Sequence, residues 1–388
     1  MKNVLLIGSS YSAAPILFLL KRMGFRVSVC GALKDDPCHT YADQSFFIDY
    51  SKKEELLKLV EEMNFDYIVP TCNDYSYLSG SYVANALQFP GFDTVETTEI
   101  LHVKGKFKKE AAKLNLKSPK LYHQGLAANI LRNEIRYPCL VKPIDNFSGR
   151  GITKAMDSDE LEEALELATA SSLAGKLVIE EFVEGDLFSH SAYIKGGKVA
   201  IDFFADEFCQ TYQYQVDCSN HPSKLGAVIK DGVRQEINRM CEQLNLVDGL
   251  LHTQFIANKD EFWLIECMRR CPGDLYGHMI QKSTGVNYDE LFASPFVGMA
   301  MPKVFPNEEC KYIGRHTISQ LKASPSFSFT SSLSAGDVEV VQLKLSGEEL
   351  SSAPYDKMAI LFLTFSTADQ MHSVVTRFSE LVHINSLG

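Results

Sequence analysis

The sequence predicts a chain that begins as a doubly wound α/β domain and continues as α+β subdomains. Three observations predict it. First, the apolar runs NVLLI (3–7), RVSVCGA (26–32) and YIVPT (67–71) alternate with helical patterns at AAPILFLLKRMG and KKEELLKLVEEMN. That order is the βαβ unit of a parallel sheet covered by helices. Second, from about Leu187 the pattern turns antiparallel. SHSAYIKGGKVAIDFFA reads as a hairpin turning at Gly196-Gly197, and HTQFIANKDEFWLIECM as a second turning at Asn258-Lys259-Asp260. Third, 388 residues with 45% hydrophobic and 22% charged side chains supply more core than one ordinary domain needs.

The elements between follow in order. VKGKFKKEAAKLNL has helical spacing with a dense positive face, stopped by Pro119. YPCLVKP reads as a buried strand, and NFSGRGI as a glycine-bearing loop. DSDELEEALELATASS is an amphipathic helix capped by Asp157 or Ser158, and KLVIEEFVEG is a strand leading into a turn. DGVRQEINRMCEQLNL and NYDELFASPFVGM read as helices. VEVVQLKL and MAILFLTF read as strands, and TADQMHSVVTRFSELV as one closing helix.

Composition narrows the function. A net charge of -11 argues against a general nucleic-acid binder, which would carry a basic face, but not against a nucleotide substrate. The ten cysteines are scattered without a CxxC pair, the pattern of reduced thiols rather than a zinc site. The N-terminal apolar run is too short for a signal peptide, and no run approaches the ~20 apolar residues of a membrane span, so the chain is placed in the cytoplasm.

Three constellations carry chemistry. Lys142 closes the strand CLVK beside the loop Ser148, Gly149, Arg150, Gly151, and Lys104 lies on the basic helix. Ammonium groups and glycine-loop amides suit phosphate oxygens, whereas the bland alternative is a surface lysine beside a turn. In VIEEFVEGD, the strand end at Glu180, Glu181, Phe182 and Val183 can offer backbone groups to an adenine ring, and Glu184 or Asp186 can take ribose hydroxyls; the alternative is an acidic surface edge. In WLIECMRRCPGD, Glu266 ends an apolar strand, where a carboxylate is costly without a cation such as Mg²⁺. Arg269 and Arg270 follow at once and suit an acyl phosphate; the alternative is a simple Glu–Arg pair. Asn73 and Asp74 sit where ligands favour a parallel sheet, or form an Asx turn, and the polar run 209–222 borders the expected pocket. His252 reads as an ordinary core or surface histidine, and GSSYS lacks the GxGxxG of a dinucleotide site.

The order of these parts resembles the ATP-grasp superfamily over roughly residues 1–300, and within it the biotin carboxylase branch and, more closely, carboxylate–amine ligases of the L-amino acid ligase type. The resemblance implies an N-terminal pre-ATP-grasp α/β domain at 1–100, a helix and lid subdomain at 101–185, a catalytic subdomain at 186–302 and a small C-terminal β-rich α+β subdomain at 303–388. It implies ATP and Mg²⁺ (or Mn²⁺) as cofactors. Lys104 and Lys142, the latter in PCLVKP, would bind ATP, the loop 146–151 would cover the phosphates, and Glu180, Phe182 and Val183 would form the adenine hinge. Glu266 matches the second metal carboxylate and Arg270 the arginine of E-x-N-x-R, while Asp274 falls where some members carry an acid. The first metal carboxylate is replaced by Gln254 and the motif asparagine by Met268. The implied activity is ADP-forming ligation of a small carboxylate to an amine through an acyl phosphate, with no nucleic acid and no membrane, in a fold where homodimers are common. A bicarbonate-using carboxylase and a non-catalytic nucleotide binder are the alternatives, the second motivated by Gln254 and Met268.

Overall fold

The computed structural model describes residues 1–145, 149–259, 261–324, 327–333 and 336–386. The chain begins with β1 (Asn3–Ile7), α1 (Ala14–Arg22), β2 (Arg26–Cys30), α2 (Pro37–Tyr41), β3 (Gln44–Phe46), α3 (Lys53–Met63) and β4 (Tyr67–Pro70). Continuous apolar runs make β1, β2 and β4 fit a sheet buried on both faces, and the four strands pair in parallel in the order β3-β2-β1-β4. Two further helices, α4 (Asp74–Leu87) and α5 (Val95–His102), lead out of this domain; neither is apparent in the sequence reading, because their polar N-terminal turns look like loop.

The lid follows: α6 (Lys104–Lys113), β5 (Leu121–Leu126), β6 (Cys139–Pro143), β7 (Thr153–Ala155), α7 (Ser158–Ser171) and β8 (Lys176–Glu181). Asp157 caps α7 by accepting from the amides of Asp159 and Glu160, as a short carboxylate at that position should. The sheet β5-β8-β6-β7 is antiparallel. Its one face, with Cys139, Val141, Leu177 and Ile179, meets Leu161, Ala164, Leu165 and Ala168 of α7 in a core of its own. By strand alternation the other face carries Leu140, Lys142, Val178 and Glu180.

The body is built from β9 (Asp186–Lys195), β10 (Lys198–Phe208), β11 (Cys218–His221), α8 (Ala227–Gln243), β12 (Gly249–Ala257), β13 (Phe262–Met268), α9 (Tyr276–Thr284), α10 (Tyr288–Ala293) and β14 (Tyr312–Ile318). Then come β15 (Phe327–Ser331), β16 (Asp337–Gln342), β17 (Ala359–Phe365), α11 (Ala368–Val375), α12 (Phe378–Leu381) and β18 (Val382–Ser386). Gly196 and Gly197 both take positive φ, the geometry a two-residue hairpin needs between β9 and β10. One sheet runs in the order β13-β12-β9-β10-β11-β14-β17-β16, so three C-terminal strands extend the central sheet, while β15 and β18 pair apart. The single closing helix expected from the sequence is broken after Val375, resumes as α12, and ends where Val382 enters β18 to pair with β15. One sheet face packs on α8 and α6 through Phe188, Phe204, Phe255 and Leu264. The other packs on α9 and α10, which continue into the N-terminal core through Leu291, Phe292 and Phe296. Among the described residues no helix is long and apolar enough to cross a membrane, and all ten cysteines are free thiols.

Arg269 fastens the first domain to the body. Its guanidinium lies 2.8 Å from Asp93, with both side chains 1% exposed. It also donates to Val247 O at 2.7 Å, and Asp93 accepts from the Val247 amide at 2.9 Å. This corrects the expectation that Arg269 holds an acyl phosphate: it is buried and spent on Asp93. Breaking a buried pair strands the surviving charge. Asp93→Asn is expected to lower stability by roughly 3–5 kcal/mol, measured by urea denaturation; an unchanged midpoint would contradict this role.

Candidate active site

Charged side chains from the polar face of the lid sheet, from α6 and from the end of β13 come together. The central carboxylate owes its direction to a bulge. Gln254 pairs with Glu266, but the next pair is Phe255 with Leu264, so Ile265 is an extra residue in β13. The insertion turns Glu266 to the face of Gln254 and Ser189, while Leu264 and Cys267 stay on the α8 side. Lys104, at the start of α6, is within electrostatic reach of Glu266, Lys142, Asp74 and Glu180. Burial and the neighbouring Lys142 ammonium lower its pKa below the usual lysine value, against the pull of Glu266. Lys104 therefore interacts with both Lys142 and Glu266.

Glu180 is fully buried and stands between two ammonium groups. Lys142 is in direct contact with it, and Lys108 is 3.4 Å away. Burial alone would raise the Glu180 pKa, but Lys108 and Lys142 hold it below the usual carboxylate range. Its side chain is thus committed to the lysines rather than open at the hinge. Lys108 was missed in the sequence. The signal was its i+4 spacing from Lys104, which puts both on one face of α6.

At the hinge, the Glu181 carboxylate accepts from the Lys120 amide at 3.1 Å, and the Phe182 amide donates to Pro138 O at 3.3 Å. Val183 is left as the position for a hinge donor, since no described residue accepts from its amide. The Lys154 ammonium lies 3.8 Å from the centre of the Phe182 ring. Asp186, expected at the ribose, is not brought to this cluster. Strand alternation puts it on the Phe188 side of β9, where it pairs with Lys224 at 2.7 Å. Glu184 is exposed.

Of the two consecutive arginines, only Arg270 reaches the cluster. Its Nε lies 2.9 Å from Asp74, and Asp74 also meets His102 Nδ1 at 3.0 Å. The Arg269 amide donates to His102 Nε2, so Nδ1 carries the proton and donates to Asp74. Burial opposes ionisation of Asp74, but Arg270 and His102 outweigh it and hold its pKa well below the usual range. Asn73 forms the Asx cap of α4 by accepting from the Tyr75 amide. His252 is buried against Ser191 and its pKa falls to about 3 through burial.

A second polar group sits farther along the sheet. Glu207 accepts from Ser189 and Ser219, and Arg315 donates to Ser219 at 2.7 Å. Asp274 accepts from Tyr11 at 2.7 Å and Thr317 at 3.0 Å, and contacts Lys357. Tyr11 and Lys357 also line a cavity of about 1400 Å³ with Phe18, Arg22, His278 and Asp289. None of Lys104, Lys142 and Glu266 lines this cavity. Sequence reading missed Arg315, Glu207 and Lys357, whose signal is only that they are charged residues in or beside apolar strands.

Ser148 falls outside the described residues, but Gly149 and Gly151 do not. Gly149 has φ 74, and an added Cβ would lie 2.7 Å from the Tyr214 backbone. Gly151 has φ 72 and would meet Pro143 and Ser171. The loop thus rests on the 209–222 segment, and only glycine permits that approach. As for a cation, Glu266 supplies one carboxylate and Gln254 an amide oxygen. No group of three or more His, Cys, Asp or Glu that could hold a metal occurs among the described residues. One carboxylate plus substrate phosphates and water suits Mg²⁺, which seldom uses an all-protein cage. Gly149→Ala should add about 1–3 kcal/mol of backbone strain that lifts the loop off the 209–222 segment, read as a lower kcat/KM; wild-type kinetics would refute the loop contact.

Comparison with known proteins bears on the fold. Residues 135–276 match the family model described as an ATP-grasp domain. A formate-dependent phosphoribosylglycinamide formyltransferase of Prochlorococcus marinus is 27% identical over 312 residues, covering 78% of each chain. An L-amino acid ligase from Bacillus licheniformis superposes with a TM-score of 0.82 at 18% identity, covering 100% of this chain and 99% of that one. A phosphoribosylglycinamide synthetase from Anaerococcus prevotii gives 0.78 at 18% identity, covering 99% of both. With the domain match and the shared fold together, the chain carries an ATP-grasp domain at residues 135–276.

Proposed function

We propose that the protein is an ATP-dependent carboxylate–amine ligase that forms an amide through an acyl phosphate and releases ADP and phosphate. The observation that carries this reading is the meeting of Lys104, Lys142, Glu266 and Arg270 in one cluster of interacting charges. Lys104 and Lys142 neutralise the triphosphate, and Val183 with Phe182 takes the adenine. Mg²⁺ held by Glu266 and Gln254 would withdraw charge from the β- and γ-phosphates. A substrate carboxylate oxygen forms a bond to the γ-phosphorus as the bond to the bridging oxygen of ADP breaks. Positioning and charge neutralisation supply most of the acceleration. Arg270, aimed by Asp74, binds the acyl phosphate. An amine then attacks the acyl carbon, and phosphate leaves. The loop bearing Gly149 and Gly151 keeps out water that would hydrolyse the intermediate.

The names of the relatives specify formate and phosphoribosylglycinamide in one case and L-amino acids in another. We assign amino-acid-like acid and amine substrates here. A second reading, nucleotide binding without turnover, is favoured only by the pairing of Gln254 rather than a carboxylate with Glu266.

A pairwise screen of acids and amines should give ADP release that needs both substrates, and Lys142→Ala should abolish it. Gln254→Glu should lower the Mg²⁺ needed for half-maximal rate by roughly tenfold, because ligand charge tunes cation affinity. ATP binding with background phosphate release across the panel, unrestored in Gln254→Glu, would instead establish the non-catalytic reading.

A further inference from the structure

We propose that Lys108 is the standing counter-ion of Glu180, a positioning residue that allows Lys142 to leave Glu180 for the nucleotide phosphates. The inference rests on the nucleotide-binding reading and adds to it a role for a residue outside the binding set.

The starting point is a conflict. Lys142 must reach phosphate, yet in this structure its ammonium contacts Glu180. Glu180 is 2% exposed and belongs to the polar face of the lid sheet. A carboxylate buried so deeply cannot be left ionised without a cation. If Lys142 were its sole partner, nucleotide binding would have to strand that charge or protonate it.

Lys108 removes the conflict. Its ammonium is 3.4 Å from Glu180 and equally buried, and it is fixed from two other directions. It donates to Ser118 Oγ at 3.2 Å and to the Leu264 carbonyl at 3.4 Å. These anchors belong to the segment entering the lid and to β13 of the body, so Lys108 cannot follow Lys142 to the phosphates. One lysine is tethered and the other lies at the strand end beside the loop. The pair of positive charges on one carboxylate is therefore a reserve: when Lys142 turns to phosphate, Glu180 keeps Lys108. The two ammonium groups also repel each other, which favours release of Lys142 rather than of the anchored Lys108.

The test is binding of Mg²⁺–ADP to the full chain by titration calorimetry, a readout that does not need turnover. Lys108→Met should weaken binding at least about tenfold, since Lys142 is then held by Glu180. Lys108→Arg, which keeps the charge, should stay within about threefold of wild type. In a Glu180→Gln background there is no buried charge to neutralise, so adding Lys108→Met should change affinity by less than about threefold. That last comparison uses two variants without a stranded carboxylate and holds even where Lys108→Met alone does not fold. Wild-type affinity in Lys108→Met, or an undiminished tenfold loss in the Glu180→Gln background, would overturn the proposal. Failure of the wild-type chain to bind Mg²⁺–ADP would instead sink the nucleotide reading on which it stands.

Discussion

Two carboxylates of the first domain, Asp74 and Asp93, and the two consecutive arginines that neutralise them fix the end of β13 against the N-terminal sheet. Both pairs are shielded from water, where charges attract strongly but are costly to separate. Neighbours in sequence, Arg269 and Arg270 leave β13 in different directions. One guanidinium becomes a bolt between domains, and the other stays at the edge of the charged cluster. His102 links them, since it receives the Arg269 amide and orients Asp74. The position of Arg270 is therefore set by groups from three segments far apart in the chain.

The same economy governs the lysines. Lys104, Lys108 and Lys142 converge on a small volume with Glu180 and Glu266, and the mutual repulsion of the cations is balanced by buried carboxylates. A site preloaded with positive charge in a low-dielectric setting is suited to a polyanion, because the cost of gathering the cations is met in folding rather than at the moment of binding.

Much of this was legible in the sequence, and the reasons for success and failure are physical. Lys142 and Glu266 were readable because a charge at the end of an apolar strand needs a partner that the strand does not supply. The βαβ opening was readable because period and apolar runs determine sheet type. Asp186 was misplaced because alternation says that residues 186 and 187 face opposite ways, not which of them faces the site. Arg269 was misread for a related reason: adjacent arginines look equivalent until the residue opposite each is known. Glu181, expected to offer backbone groups to the adenine, gives its own amide to the Lys120 carbonyl at 2.8 Å. Lys108, Glu207 and Arg315 were silent because their significance depends on partners distant in the chain.

The separate apolar interior of the lid has a consequence for exchange of backbone hydrogens. Leu161, Leu165, Val141 and Ile179 bury one another without borrowing from the body. The lid can therefore behave as a cooperative unit, opening and closing with its own free energy while the amides of β9 and β12 remain protected. The thermodynamics of that unit belong to residues 119–181, and the ion cluster around Glu180 couples it to the rest.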